Sequence, residues 1–177
     1  MSKNIAEGFF ERNKTIIDNK KDIDALHNKG FGEKKDSFLV LDLFETMYLI
    51  ENKNLKVIYK KDELPKNAVL KKASENLKDN KLTEKYKVYK DIRAKGFIVK
   101  TGLKFGFDFR VYPKGKKAGE GHSKYVVEVI PEEKITTNEE IARIVRMASG
   151  LKTKAILAIV DNDLDISYFN LERFNFK

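Results

Sequence analysis

The chain has 177 residues, enough for one large domain or two small ones, and its 36 Lys or Arg residues against 27 Asp or Glu residues give a net charge of +9. It has no cysteine, which excludes a disulfide framework and cysteine-based zinc sites. No apolar run approaches the length that spans a bilayer and the N-terminus has no apolar signal region, so we expect a cytoplasmic protein without membrane segments.

The first third of the chain predicts strands and one helix. Residues 1–35 are polar with scattered apolar positions, which is typical of strands or irregular segments around turn residues. Asp36 or Ser37 is expected to cap a helix, because apolar residues from Leu39 to Leu49 recur at helical spacing. We therefore expect a small α/β domain at the N-terminus.

The segment after that helix predicts one more strand, one more helix and a boundary. Leu55–Tyr59 alternates as a short strand does, and a helix can begin at Pro65. The polar stretch 76–81 interrupts the apolar pattern. We therefore expect two domains, residues 1–82 and residues 83–177.

The second half opens with a predicted helix and two strands. Thr83 can cap a helix that ends at Gly96, and Phe97–Val99 predicts a strand. Phe105, Phe107, Phe109 and Val111 alternate as on one face of a strand, which would put Asp108, Arg110 and Tyr112 on the other face. An exposed loop is expected over residues 113–121.

The remainder predicts a buried sheet and a second helix. Thr137 and Glu140 form a capping box, and the helix that follows should end at Gly150. Three further strands are expected, over Tyr125–Ile130, Ala155–Val160 and Ile166–Asn170. The predicted fold class is therefore α/β, more closely an α+β mixed sheet flanked by two helices.

The charge distribution indicates a polyanionic partner. Twelve Lys or Arg residues against four Asp or Glu residues lie between Lys81 and Glu120, so this stretch holds eight of the nine excess positive charges. A basic region of this density favours binding of nucleic acid. A solvated Lys-rich face is the alternative interpretation.

Tyr112 and His122 are the candidate catalytic pair. Tyr112 ends a predicted strand beside Arg110, and His122, one of two histidines, follows a Gly- and Lys-rich loop. A phenol can take a proton from a ribose 2′-OH and an imidazole can donate one to the leaving 5′-oxygen, which is the chemistry of metal-free RNA cleavage. The alternatives are a packed tyrosine and an ordinary surface histidine.

A Mg²⁺-dependent nuclease is a rival interpretation of Asp108 and Glu128. That kind of site needs a Glu-x-Lys sequence on the second strand, and Ile130 occupies the lysine position here. Asp108 is therefore expected to be structural and to pair with a neighbouring Lys or Arg. No Gly-rich phosphate loop or zinc-ligand spacing occurs, so we predict no metal and no cofactor.

Arg143 and Arg146 lie off the apolar stripe of their helix and are candidate RNA contacts.

At these residues the chain closely resembles the archaeal tRNA-splicing endonuclease family. The resemblance covers most of the length and is strongest in four segments: Tyr89–Gly102, Asp108–Tyr112, His122–Tyr125 and Leu157–Asp161. It implies a tRNA-intron lyase with a small N-terminal α/β domain and a C-terminal nuclease domain of the restriction-endonuclease type. It also implies cleavage of precursor tRNA at bulge–helix–bulge junctions, which leaves 2′,3′-cyclic phosphate and 5′-hydroxyl ends.

The resemblance implies roles for individual residues. Tyr112 would be the general base and His122 the general acid, while Arg146 would grip a bulged base. The family's third catalytic residue, a lysine, aligns with Thr153 here, so Lys152 or Lys154 is expected to supply that charge. We expect Lys152 in preference, because it precedes the strand and is freer to turn inward.

The resemblance further implies an oligomer. Chains of this length in the family form homotetramers, in which the acidic turn Pro131–Glu133 would join dimers and the last strand, Ile166–Asn170, would form the dimer edge. A hetero-oligomer with a second subunit stays open. Because Thr153 stands at the position of the family's lysine, a non-catalytic RNA-binding subunit that needs a catalytic partner also stays open.

Overall fold

The computed structural model describes residues 5–115 and 121–176, and residues 116–120 of the predicted loop lie outside the described part. The chain divides into two compact units, Met1–Leu82 and Thr83–Lys177, each with its own sheet. Within the described ranges, no helix combines the length and the apolar character needed to cross a bilayer.

The N-terminal unit is a six-stranded mixed sheet with three helices. The strand order is β3-β4-β2-β1-β5-β6, in which β1 and β5 are parallel and the other neighbours are antiparallel. Its elements are β1 (Ala6–Glu11), β2 (Lys14–Ile17), α1 (Lys20–Asn28), β3 (Glu33–Lys35), β4 (Phe38–Leu41), α2 (Leu43–Glu51), β5 (Leu55–Tyr59), β6 (Asp62–Glu63) and α3 (Lys66–Leu77).

The helix expected from Asp36 begins seven residues later, and this prediction was wrong. Phe38–Leu41 pairs as a strand with β2, and Leu39 and Leu41 are fully buried in it. The cap is Asp42, which accepts the N–H of Glu45 while the Glu45 carboxylate accepts the N–H of Asp42. This capping box is a stronger start signal than an isolated Asp or Ser. Helix α1, capped by Asn19, was not predicted at all.

The C-terminal unit is a five-stranded mixed sheet in the order β11-β10-β9-β8-β7. Its elements are α4 (Leu82–Ala94), β7 (Ile98–Thr101), a 3₁₀ turn (Leu103–Phe105), β8 (Phe109–Tyr112), β9 (Tyr125–Pro131), α5 (Asn138–Gly150), β10 (Lys154–Val160) and β11 (Ile166–Leu171). Strands β9 and β10 are parallel, and α5 is the crossover between them. Two mixed sheets in two units confirm the predicted α+β fold class.

Each face of the second sheet packs against a different helix. On the α4 face, Phe109 contacts Tyr89, with ring centroids 6.0 Å apart. On the α5 face, one buried cluster joins the helix to the strands through Phe107, Val126, Ile144, Ala148 and Ala155. Because alternate residues of a strand point to opposite faces, these contacts assign every strand residue to one face or the other.

The expectation that Phe105 and Phe107 continue strand β8 was wrong. Phe105 ends the 3₁₀ turn, and Gly106 follows in the left-handed region with a φ of 73°. A Cβ at Gly106 would lie 2.3 Å from the Met147 side chain, so glycine suits both the backbone and the space. This turn directs Phe107 to the α5 face, whereas Phe109 lies on the α4 face.

Candidate active site

One end of the second sheet brings the sequence-predicted catalytic segments together. Val111 pairs with Tyr125 across β8 and β9, and Lys154 pairs with Tyr125 across β10 and β9. If both registers are continued by one residue, Tyr112, Lys124 and Thr153 lie in one row across three adjacent segments of the sheet. Strands lie about 4.8 Å apart, so the backbones of Tyr112 and Thr153 are about 10 Å apart. The Lys154 N–H donates to the Lys124 carbonyl at 3.3 Å, which extends the pairing into this row.

Tyr112 is the last residue of β8 and lies on the α5 face. Arg110, two residues before it, pairs with Val126 of the α5-face cluster, and strand alternation puts Tyr112 on the same side. Tyr112 is 4% exposed. Burial raises the pKa of the Tyr112 phenol, and the positive charge of Arg110 lowers it in part. The side chain is therefore packed on the sheet, as in the alternative interpretation of a tyrosine at a strand end, and its hydroxyl belongs to a residue on the face that also carries Arg110.

His122 lies two residues before that row and is exposed. The segment from His122 to Lys124 leads directly into β9, and the Lys124 N–H donates to the Val111 carbonyl at 2.8 Å. Ser123, which follows His122, is 6% exposed and its hydroxyl accepts a 3.5 Å hydrogen bond from the Arg110 Nε. The histidine is thus followed directly by two residues that bond to β8, while His122 itself is exposed.

The third candidate position lies at the turn between α5 and β10. Lys152 is exposed and has a left-handed backbone, with a φ of 53°. The N–H groups of Lys152 and Thr153 donate to the carbonyls of Ser149 and Ala148, which closes the end of α5. This turn interrupts strand alternation, so the direction of Lys152 is not set by the pleat.

Lys154 belongs to the opposite face. It pairs with Tyr125, whose partner Val111 lies on the α4 face with Phe109. Strand alternation directs Lys154 away from Tyr112 and puts Thr153 on the Tyr112 side. The Thr153 hydroxyl oxygen is buried and has no hydrogen-bond partner among the described residues. The geometry therefore favours Lys152 over Lys154 as a cation near Tyr112.

The two candidate RNA-contacting arginines lie on α5 and differ in their surroundings. Arg143 is partly buried, and one terminal nitrogen donates to the Gly106 carbonyl at 3.4 Å and contacts the Met147 sulfur at 3.3 Å. Arg146 is exposed. Arg143 is tied to the turn before β8, whereas Arg146 presents its guanidinium to solvent.

Asp108 is a structural residue, as predicted. Its carboxylate is 2.7 Å from the Lys85 ammonium, both side chains are less than 10% exposed, and the second carboxylate oxygen accepts the Val129 N–H at 2.8 Å. Both carboxylate oxygens of Asp108 are thus engaged by the fold.

In the described ranges, no three His, Cys, Asp or Glu side chains group closely enough to hold a metal ion. The rival arrangement of Asp108 and Glu128 around Mg²⁺ has no support in this geometry.

Replacement of Asp108 by alanine should destabilise the C-terminal unit. The change removes the Asp108 carboxylate from its buried ion pair with the Lys85 ammonium, and breaking one partner of a buried ion pair costs about 3–5 kcal/mol. Urea unfolding followed by circular dichroism would measure the loss. Glu63→Ala, which removes the partner of Lys56 from an exposed pair, is the matched control and should change stability by less than about 1 kcal/mol. Equal losses in the two variants would contradict a structural role for the buried pair.

The family profiles and the curated relatives indicate the same family. The profile of the tRNA intron endonuclease catalytic C-terminal domain matches residues 82–168, and that of the N-terminal domain matches residues 6–70. The tRNA-splicing endonuclease of Pyrococcus abyssi is 38% identical over 176 residues, which cover 98% of this chain and 99% of its own. The tRNA-splicing endonuclease of Methanococcus vannielii is 36% identical over 156 residues, 88% of this chain and 87% of its own.

Among solved structures, the Holliday junction resolvase Hjc of Archaeoglobus fulgidus aligns with 55% of this chain and 80% of its own, with a TM-score of 0.41 and 16% identity. A similarity at that level carries no functional implication. The sequence matches span both units, and each relative is covered over most of its length. The chain therefore belongs to the tRNA-splicing endonuclease family.

Proposed function

We propose that this protein is a tRNA-intron lyase that cuts precursor tRNA at bulge–helix–bulge junctions. The N-terminal unit is its α/β domain and the C-terminal unit, residues 83–177, is its nuclease domain. The observation that carries the proposal is the row at one end of the second sheet. In it Tyr112 ends β8, the His122 segment leads into β9, and the Lys152–Thr153 turn leads into β10, which are three neighbouring strands.

The proposed reaction is an in-line attack within the RNA. The deprotonated form of Tyr112 accepts the proton of the 2′-OH, the 2′-oxygen forms a bond to phosphorus, and the bond from phosphorus to the 5′-oxygen breaks. His122 donates a proton to that leaving oxygen. The products are a 2′,3′-cyclic phosphate and a 5′-hydroxyl, and no metal ion takes part. A lysine ammonium, from Lys152, offsets the charge that develops on the phosphorane.

The charge of the protein supports RNA as the substrate. The excess of eight positive charges between Lys81 and Glu120 includes residues of α4, β7 and β8 in the nuclease unit. Arg146, exposed on α5, and Arg143, nearer the turn at Gly106, are proposed to contact the bulge. Precursor tRNA is made in the cytoplasm of cells without a nucleus, and that is the compartment we propose for this enzyme.

A single deoxy substitution in the RNA tests the reaction. Replacing the ribose by 2′-deoxyribose at the scissile nucleotide removes the attacking oxygen, so cleavage in excess EDTA should stop while binding is nearly unchanged. Gel analysis of both ends and a filter-binding measurement would check this. The all-ribo substrate is the control and should yield the cyclic phosphate. Efficient cutting of the deoxy substrate, or a strict requirement for Mg²⁺ with the all-ribo substrate, would contradict the proposal.

The protein is also proposed to be a homotetramer built as a dimer of dimers. Strand β11 is an edge of its sheet, and Tyr168 and Phe169 on it are 38% and 50% exposed. An unpaired edge with exposed aromatic side chains favours pairing with a second copy. The acidic turn after β9, with Glu132 exposed and Glu133 accepting from Asn162 at 3.0 Å, is the proposed contact between dimers.

Light scattering checks the assembly. The wild type should have the mass of four chains, and Phe169→Lys should reduce that mass, because a charge on each copy of the edge strand repels its partner. Phe9→Lys replaces an equally exposed phenylalanine on the N-terminal sheet, 48% exposed, and should leave the mass unchanged. An active monomer would be incompatible with the proposal, and a tetramer only with a second kind of chain would establish a hetero-oligomer.

A further inference from the structure

Arg110 has surroundings that its place on the sheet alone does not explain. Its guanidinium carbon lies 4.2 Å from the centroid of the Phe105 ring and 5.2 Å from the centroid of the Tyr112 ring. Its Nε donates to the hydroxyl of Ser123 at 3.5 Å. One cationic side chain therefore contacts the proposed base, the residue next to the proposed acid, and an aromatic ring that supports it.

We propose that Arg110 is a positioning residue that holds the Tyr112 ring and the segment carrying His122 in a fixed relation. This inference rests on the proposed function and deepens it. Arg110 and Tyr112 share the α5 face of β8, whereas His122 lies outside the strands, where the pleat does not set its position. The hydrogen bond from Arg110 to Ser123 ties the segment that carries His122 to strand β8, which carries Tyr112.

The chemistry of arginine fits this task better than that of any other cation. The guanidinium is planar, so it can lie against Phe105 and Tyr112 while its edge donates a hydrogen bond to Ser123. The Phe105 ring is itself packed against the α5-face cluster. Arg110 is thus anchored to the core on one side and contacts the site on the other. Misplacement of a reacting group by about 1 Å can cost about 10²-fold in rate.

The charge of Arg110 has a second effect in the same geometry. Burial raises the pKa of Tyr112 and the Arg110 charge lowers it, so loss of that charge should raise it further. The other charged or titratable side chains around this face include Lys100, which pairs with Arg110, and His122 and Lys124, which precede β9. They also include Glu128 on β9, Arg143 on α5 and Lys152 at the turn after α5. None of them changes when Arg110 is replaced, so the change in titration reports on Arg110.

The test compares Arg110→Met with Arg110→Lys. Methionine removes the charge and the planar group, whereas lysine keeps the charge and removes the plane. We expect single-turnover cleavage to fall about 10²-fold for Arg110→Met at unchanged RNA affinity, with partial rescue by Arg110→Lys. The alkaline limb of the pH–rate profile should move to higher pH in Arg110→Met only. Lys21→Met, which removes one exposed charge from α1, is the matched control and should behave as the wild type.

A carbon-13 label on tyrosine Cζ gives a readout that needs no cleavage. The Tyr112 resonance, identified by its loss in Tyr112→Phe, should titrate at higher pH in Arg110→Met than in the wild type. A wild type that does not cleave would contradict the proposed function while this titration still tests the inference. If the wild type and Lys21→Met cleave and Arg110→Met matches them in rate and titration, the positioning role is wrong. A loss confined to RNA affinity would assign Arg110 to phosphate binding instead.

Phe105→Leu covers the case in which Arg110→Met does not fold. Leucine keeps apolar volume against the α5-face cluster but removes the ring under the guanidinium. We expect a smaller loss of cleavage rate than in Arg110→Met, with RNA affinity unchanged. A folded Phe105→Leu enzyme with the wild-type rate, together with a wild-type rate in Arg110→Lys, would overturn the proposal.

Discussion

Replacement of His122 by alanine is expected to lower the single-turnover rate of RNA cleavage about 10²–10⁴-fold, the usual contribution of a general acid. The imidazole is exposed on a segment that is bonded to β8 and leads into β9, so its removal should not disturb the fold. Cleavage at saturating protein, with RNA binding measured alongside, separates chemistry from affinity. Lys21→Ala, which removes an exposed cation from α1 in the N-terminal unit, is the control and should keep the wild-type rate.

Tyr112→Phe should lose a comparable factor and should also change the pH dependence. Burial raises the pKa of Tyr112, so the phenol is mostly neutral near pH 7 and its power to accept a proton increases with pH. The alkaline limb of the wild-type pH–rate profile should therefore report a pKa above the ordinary tyrosine value, and that limb should be absent in Tyr112→Phe. Unchanged rates in either the His122 or the Tyr112 variant would remove that residue from the mechanism.

The sequence carried enough information for the C-terminal sheet because its signals are local. The capping box of Thr137 and Glu140 is present as predicted, and the apolar run Ala155–Val160 is a central strand. Tyr112 and His122 could be proposed from sequence because a tyrosine at a strand end and a histidine after a basic loop are local features. The pairing of β8 with β9 puts the two segments that carry them on neighbouring strands.

The two wrong secondary-structure predictions concern short segments whose apolar spacing fits more than one element. The pattern after Asp36 predicts a helix because Leu39 fits both helical spacing and strand alternation, and only the pairing of β4 with β2 decides between them. The period-2 spacing of Phe105 and Phe107 predicts a strand, but the left-handed Gly106 breaks the alternation. The Phe105 ring under Arg110 could not have been predicted, because it depends on that turn.

The choice between Lys152 and Lys154 could be argued from sequence only as a preference for the residue outside the strand. The structure adds the register, because Lys154 pairs with Tyr125 and so points to the α4 face, away from Tyr112. It also adds the left-handed backbone of Lys152. Neither fact is accessible without knowing which strand pairs with which, and in what register.

Lys152→Ala is expected to lower the single-turnover rate about 10²–10³-fold, the typical effect of removing one group that stabilises developing negative charge. In the proposed reaction Tyr112 and His122 transfer protons, and the ammonium of Lys152 is the group assigned to the charge that develops on the phosphorane. Lys152 is exposed at a turn that closes the end of α5 beside Thr153, so its long side chain is free to swing toward Tyr112. RNA affinity should change little, because the contact strengthens only as charge develops on the phosphate.

Lys154→Ala is the matched control, since it removes the same group two residues away on the opposite face. It should retain most of the rate, and the double variant should match Lys152→Ala. Thr153→Lys tests the position that aligns with the family's lysine. Among the described residues the buried Thr153 hydroxyl has no hydrogen-bond partner, and strand alternation puts Thr153 on the Tyr112 side. If Lys152→Ala and the double variant cleave normally, Lys152 is not the cation. If the wild type is inert and Thr153→Lys gains activity, the chain is a non-catalytic subunit that depends on a partner for the reaction.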